Sequence, residues 1–343
     1  MNCKSIILLI VVLLFWGNAE ARKKKGKKVE EVQTESAYRK FFKGKACETA
    51  KGMITLHKMD GRVYFEIPLA LMGREMLMGS TISEITNNGF GSVGEKPKGL
   101  LYISFVRCDS VISLKQLTAQ YDTNEENLKQ RIKESTIPAT IKNFKITTYN
   151  EDSTAVVIDM TDYLVSADEA IDPFSPWAPI LAGGERVMEK EFRRENSQVV
   201  SIKAFEDNVS VKSSLTYGLS LKNKVMYIFQ REPFTAVMTR SFILLPEHPM
   251  RPRLADPRIA IFSQGVSVFN GDSRGAQARY YAQRWNLEPK DMEQYRKGVL
   301  TEPKKPIVFY VDNTFPENWK KYIKEGVEVW QMAFEKIGFK NAI

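Results

Sequence analysis

The sequence predicts an α+β fold: a mainly antiparallel, β-rich body, then a C-terminal strand and one long amphipathic helix. Three observations predict it. Between residues 51 and 245, short runs rich in β-branched and aromatic residues follow one another, many of them alternating, with polar turns between neighbours. These runs do not alternate with regular helical patterns as β-α-β units would, so the strands read as an antiparallel meander. Beyond residue 306 the apolar period lengthens to that of a helix.

Composition narrows the class further. The chain has 343 residues, 43% of them hydrophobic and 27% charged, which excludes disorder throughout and a polytopic membrane protein. Three cysteines exclude a cysteine-built zinc module and a disulfide scaffold. Two histidines, His57 and His248, exclude a His-rich metal site. The formal charge of +9 falls to +2 without Lys4 and the tract Arg22, Lys23, Lys24, Lys25, Lys27 and Lys28. A basic tract beside a nearly neutral body is not a nucleic-acid docking face, so no nucleic-acid partner is expected.

The N-terminus reads as an export signal. Lys4 precedes an unbroken apolar run of eleven residues, Ile6 to Trp16, and Ala19-Glu20-Ala21 follows it. This is the order of a secretory signal peptide, with cleavage between Ala21 and Arg22. A spanning helix needs roughly 20 residues. The basic tract just after the run leaves a reversed signal anchor as the alternative. Residues 1–21 are thus a signal peptide and 22–36 a solvated basic linker, whose alternative role is contact with an acidic membrane surface. The mature protein would be periplasmic, on the cell surface or extracellular. Export leaves Cys47 and Cys108, which an oxidising compartment permits to pair; two buried free thiols are the other reading.

Residues 35–44 form one or two helical turns, with Tyr38, Phe41 and Phe42 on one side. Residues 51–58 alternate, Asp60-Gly61 follows, and 62–67 resume an extended pattern, which is a hairpin with an Asp-Gly turn. Pro68 ends that strand and 76–85 form another. Residues 87–99 are a mobile hairpin loop. The following strands are 100–107, 111–117, 141–149, 154–160, 199–205, 209–217, 224–230 and 235–245. Helical insertions fall near 124–135 and 162–170, and 172–179 is a Pro-rich loop. Four prolines exclude a central strand from 246–257, and two more in 302–306 mark a boundary. Residues 307–311 are an apolar strand. Thr314-Phe-Pro-Glu317 has the spacing of a capping box. Trp319, Tyr322, Ile323, Val327, Trp330, Phe334 and Ile337 then recur as a core-facing helical stripe, closed by Gly338. The resulting organisation is a helix and hairpin module at 37–86, a β-rich accessory domain at 87–302 and a further segment at 303–343.

No constellation of residues performs an identifiable reaction. Gly89-Phe-Gly91-Ser-Val-Gly94 fits G-x-G-x-x-G, but a strand follows it, where a dinucleotide site needs a helix N-terminus. Neither histidine has a second one at i+4, so no helical zinc pair exists. G-x-S-x-G is absent, and the adjacent carboxylate pairs Glu30-Glu31 and Glu125-Glu126 do not flank a cleft as a glycosidase pair would.

Several segments resemble bacterial zinc-dependent metalloproteases in which uncharacterised N-terminal domains precede a metzincin-like peptidase. They are Phe65-Glu-Ile-Pro68 with Leu71-Met-Gly-Arg-Glu-Met76, Ala204-Phe-Glu-Asp-Asn-Val209, Leu254-Ala-Asp-Pro-Arg258, Arg284-Trp-Asn-Leu-Glu-Pro289, Lys305-Pro-Ile-Val-Phe-Tyr-Val-Asp312 and Trp330-Gln-Met-Ala-Phe-Glu-Lys-Ile-Gly-Phe339. The resemblance implies that residues 303–343 open the peptidase domain. The family's zinc-binding helix, His-Glu-x-x-His, comes later than any position in this sequence. The resemblance therefore implies a hydrolase that uses zinc and takes a protein or peptide substrate. It assigns no catalytic, cofactor-binding or metal-binding residue here, and the chain alone is expected to bind no zinc and to need a C-terminal peptidase segment as partner. The rival expectation is a non-enzymatic exported binding or scaffold module.

Overall fold

Short-range chemistry sets the first hairpin. The computed structural model describes residues 35–182, 185–271 and 275–343; the cleavage site Ala21–Arg22, the signal peptide and the basic tract lie outside the described residues. Helix α1 (Ala37–Phe42) precedes β1 (Glu48–Ala50), β2 (Thr55–Met59) and β3 (Arg62–Pro68). Asp60 and Gly61 between β2 and β3 take φ of 52° and 71°, the two left-handed residues that match a tight hairpin to strand twist. Strand β3 is covered on both sides. Val63, Phe65 and Ile67 enter the main core, while Tyr64 packs on the other side with Tyr38, Phe41 and Phe42 of α1.

The meander continues with β4 (Met76–Ile85), β5 (Leu101–Cys108), β6 (Val111–Gln116), the short β7 (Tyr121–Asp122), α2 (Glu126–Ser135), β8 (Ala139–Tyr149), β9 (Ala155–Asp159) and the single turn α3 (Thr161–Leu164). Next come β10 (Val187–Phe192), β11 (Gln198–Ala204), β12 (Asn208–Lys222) and β13 (Tyr227–Leu244). Twelve of these strands form one antiparallel sheet in the order β1-β2-β3-β9-β8-β6-β5-β4-β13-β12-β10, with β11 also paired to β12. The sheet curls until β11 meets its first strands. Met53 N donates to Phe205 O at 2.8 Å, and Lys58 Nζ donates to Val200 O at 2.6 Å. The result is a nearly closed barrel.

Alternation fills the barrel. Phe234, Ala236, Met238, Arg240 and Phe242 of β13 point inward, as do Val209, Val211, Ser213, Leu215 and Tyr217 of β12. Each fully buried Leu, Ile or Phe side chain contributes about 1.5–3 kcal/mol relative to exposure. The segment after α3 is part of this interior. Ile171, Asp172, Phe174 and Ser175 are buried, and Asp172 is held by Lys98 at 3.1 Å and Lys190 at 2.8 Å. The Pro-rich loop is therefore packed in place.

Several expectations need correction. Residues 224–230 and 235–245 are one strand, β13, running through Pro233. There β13 has only β12 beside it, because pairing with β4 starts at Ala236, so a residue without an N–H is tolerated. The helix expected over 162–170 is the one turn of α3. The loop at 87–99 is anchored by buried Phe90 and by Gly94 N and Ile82 N, which bond to Ile82 O and Glu95 O. Strands before and after residue 87 share one sheet and one core, so 37–86 is not a separate body. Strands β14 (Ser263–Val268) and β15 (Gln277–Ala282) form a hairpin whose first strand pairs with β7. Helices α4 (Met292–Arg296), α5 (Glu317–Glu328) and α6 (Gln331–Lys336) complete the described elements.

Candidate functional site

The C-terminal segment carries a hollow of about 970 Å³. Helices α5 and α6 are interrupted at Val329 and Trp330, both of which keep right-handed helical angles. The N-terminus of α5 departs from the expected capping box. Its cap position is Pro316, and Thr314 Oγ1 donates instead to Asp312 Oδ1 at 2.7 Å. This hydrogen bond holds the Asp312 carboxyl below its usual range. Gly338 closes α6 with φ of 94°, and any Cβ there would lie 2.7 Å from the Tyr295 ring. Tyr295 Oη donates to Ile337 O at 2.9 Å, and Ile307 N donates to Ala342 O at 2.7 Å. The last residues are thereby stitched to α4 and to the chain before α5.

Residues 307–311, expected as a strand, form no regular element and have no ladder partner among the described residues. Val308, Phe309 and Tyr310 are exposed, Tyr310 to 93%. Two hollows flank this stretch. The larger, about 970 Å³, lies between Phe309, Trp285 and the Val327–Trp330–Phe334 side of the helices. The smaller, about 530 Å³, lies between Val308, Val311, Lys320 and Lys324. Trp285 and Phe309 meet edge to face with ring centroids 6.1 Å apart. The helical stripe that the sequence marks as core-facing is uncovered here. Trp319, Tyr322, Trp330 and Ile337 are all exposed, and neither helix has a buried residue. Arg253 and Arg284 give the rim of the larger hollow its positive charge. The lining of the larger hollow is mainly apolar and holds no acid–base pair.

The other residues singled out by sequence are scattered. Cys47 and Cys108 are both free thiols, and the structure does not join them. Cys47 precedes β1 and is half-buried, whereas Cys108 ends β5 and is exposed, six strands along the sheet order from β1. Disulfide geometry needs Cβ atoms about 3.5–4.5 Å apart, which that separation does not offer. His57 is 5% exposed in β2 and bonds through both ring nitrogens. His248 lies in the Pro-rich loop after β13. Among the described residues no group of three or more His, Cys, Asp or Glu side chains is arranged to hold a metal ion. Sequence reasoning missed the surroundings of His57, because its partners Thr49 and Glu66, and the Tyr38 hydroxyl that shares Glu66, come from separate elements.

Residues 95–290 match a family described as Domain of unknown function (DUF5117). The chain belongs to this family. Residues 35–85 match a second, Domain of unknown function (DUF5118). No curated protein matches the chain, and no solved structure does. The DUF5118 part supplies α1 and β1 to β4, and the DUF5117 part supplies β5 to β15. The two families thus build one barrel together: β4 of the first lies between β5 and β13 of the second. Residues 291–343, which carry both helices of the apolar site, lie outside both matches.

Proposed function

We propose that this DUF5117 protein is the N-terminal accessory region, with the first catalytic-domain elements, of an exported zinc-dependent metallopeptidase, inert in this chain alone. The observation that carries the reading is the exposed apolar segment at 308–311, without a ladder partner among the described residues, beside the uncovered stripe of α5 and α6. An exposed apolar segment flanked by hollows is what the opening elements of a larger domain present before their neighbours are added. The motifs at 305–312 and 330–339 that resemble the metalloprotease family lie in this same place. In this reading the barrel is a rigid platform and the C-terminal segment is the joint to a peptidase segment.

The described residues do not fit a zinc site. A catalytic zinc takes three protein ligands, and among the described residues no group of three or more His, Cys, Asp or Glu side chains is arranged around His57 or His248 to supply them. The ligands and the base for hydrolysis would come from the added segment.

Three measurements test the proposal. The coding sequence after Ile343 is read for an in-frame His-Glu-x-x-His; its presence supports the peptidase reading, and a stop codon there favours a non-enzymatic binding or scaffold module. Metal analysis and a peptide-library assay on purified residues 22–343 should find no stoichiometric zinc and no cleavage. One equivalent of tightly held zinc with chelator-sensitive cleavage would overturn the assignment of roles. N-terminal sequencing of the exported protein should begin at Arg22; recovery of residue Met1 in membranes would establish an anchor instead.

A further inference from the structure

A second cluster has its own chemistry, on the far side of the polypeptide from the apolar site in sequence and independent of any peptidase. Cys47 Sγ lies 3.8 Å from His57 Nδ1 and 3.5 Å from Thr49 Oγ1, and Thr49 Oγ1 lies 3.0 Å from the same Nδ1. On the other side of the ring, His57 Nε2 is 2.9 Å from Glu66 Oε2, which also accepts from Tyr38 Oη at 2.7 Å. The His57 contact holds the Glu66 carboxyl below its usual range, against the opposing effect of burial. Tyr38 Oη and His57 Nε2 converge on the one oxygen Glu66 Oε2, an arrangement of two donors on one acceptor that places the ring proton on Nε2. That leaves the Nδ1 lone pair facing Thr49 and Cys47. Phe42 packs against the imidazole, with centroids 4.7 Å apart, and helps fix its plane. Cys47 also lines a shallow surface hollow of about 480 Å³ with Lys58, Met59 and Asp60, so a reagent has a way in.

We infer that Cys47 is a nucleophilic thiol served by His57 as base and by Glu66 as the group that orients the base, and that it undergoes exchange with small disulfides. Nucleophile, base and orienting carboxylate in hydrogen-bond succession are the arrangement that activates a weak nucleophile. The thiol proton passes to His57 Nδ1, directly or through the Thr49 hydroxyl. Sγ attacks one sulfur of the disulfide, the old S–S bond breaks and a bond from Cys47 to that sulfur forms. The departing thiolate takes the proton back from His57 and leaves as a thiol. Cys47 is oxidised, and one half of the disulfide is reduced. Cys108 is not beside it, so no second thiol of the described residues resolves the product, and the mixed disulfide persists.

The two described cysteines make the test internal. Accessibility alone ranks Cys108 ahead, because it is exposed and Cys47 is half-buried. In the full chain carrying Cys3→Ser, stopped-flow reaction with dithiodipyridine at neutral pH should show a fast and a slow phase. Cys47→Ser should abolish the fast phase and Cys108→Ser the slow one, with rates about tenfold or more apart, as general-base assistance provides. His57→Gln and Glu66→Gln should each bring the Cys47 rate down to or below that of Cys108, with the Cys108 rate unchanged as the control for folding. Cys47 reacting no faster than Cys108 in the unsubstituted network overturns the inference whatever the variants do. So does a fast phase that survives both substitutions in folded protein.

Discussion

Arg240 Nη2 donates a 3.0 Å hydrogen bond to the carbonyl oxygen of Ile171, tying the inward face of β13 to the segment that fills the barrel. Arg240 has no exposed surface, and its Nε and Nη1 find no hydrogen-bond partner among the described residues, nor do Tyr217 Oη and Ser213 Oγ nearby on β12. Burial pushes the guanidinium down to about 10, so it stays charged at neutral pH. A desolvated charge with one good contact is costly in itself and useful as an anchor.

Substitution separates those two effects. Arg240→Ala should destabilise by about 3–5 kcal/mol, because it opens a cavity and strips the Ile171 carbonyl of its donor. Arg240→Met keeps most of the volume and removes the buried charge, so it should be more stable than the alanine variant by about 2 kcal/mol. Urea unfolding of both decides it. Equal losses would mean that volume is irrelevant at this position.

Alkaline behaviour follows from the same interior. Burial raises the hydroxyls of Tyr163 and Tyr217 well above their ordinary value. A group raised in the folded state contributes stability that is complete below its unfolded value, about 10 for tyrosine, and is lost as pH climbs beyond it. In a spectrophotometric titration the exposed tyrosines should ionise reversibly, while these two ionise only as the far-ultraviolet dichroism collapses. Smooth ionisation of all 13 tyrosines with the fold intact would contradict the burial.

Acid acts through Glu66. Its carboxyl is lowered in the folded state, chiefly by His57, so its contribution is present above about 4.3 and is lost as pH falls through the lower folded value. The stability of Glu66→Gln should therefore fall less steeply on acidification. Glu66→Ala should cost about 2 kcal/mol at neutral pH, since His57 Nε2 and Tyr38 Oη both lose their acceptor. Parallel acid profiles for wild type and Glu66→Gln would remove Glu66 from the account.

A glycine sits where the sheet closes on itself. A Cβ on Gly52 would lie 2.6 Å from Phe205 N and 2.9 Å from Ala204 C, both backbone atoms that cannot swing away. Gly52→Ala should force β1 and β11 apart, weaken the Met53–Phe205 hydrogen bond and cost about 1–3 kcal/mol. Gly99→Ala, with nothing within 4 Å, should change stability by less than about 0.5 kcal/mol. Indistinguishable midpoints for the two would argue against close approach at residue 52.

The uncovered helices should be sticky. Trp330 is 63% exposed and Phe309 54%, so the double variant Phe309→Glu/Trp330→Glu should leave stability nearly unchanged. It should lower both the fluorescence of bound anilinonaphthalene sulfonate and the concentration-dependent association seen by sedimentation. Unaltered dye binding would place the apolar surface elsewhere.

Local rules carried much of the fold in the sequence itself. Asp60-Gly61 needs two left-handed residues, and those residue types announce them. The alternation of 209–217 and the helical spacing of 319–337 declare which side of each element is apolar, because side-chain period is a property of the backbone alone. Only tertiary structure decided where those sides go. It ran β13 through Pro233 by leaving one edge free, joined strands of the 37–86 and 87–302 segments into one barrel, and left the α5–α6 stripe uncovered. It also brought Cys47, His57 and Glu66 together from the approach to β1 and from β2 and β3. The register of Thr49 against His57 and of Thr55 against Glu66 sets that meeting. Sequence spacing cannot express it, because pairing partners are chosen by the burial of whole strand faces and not by the residues that happen to meet on them.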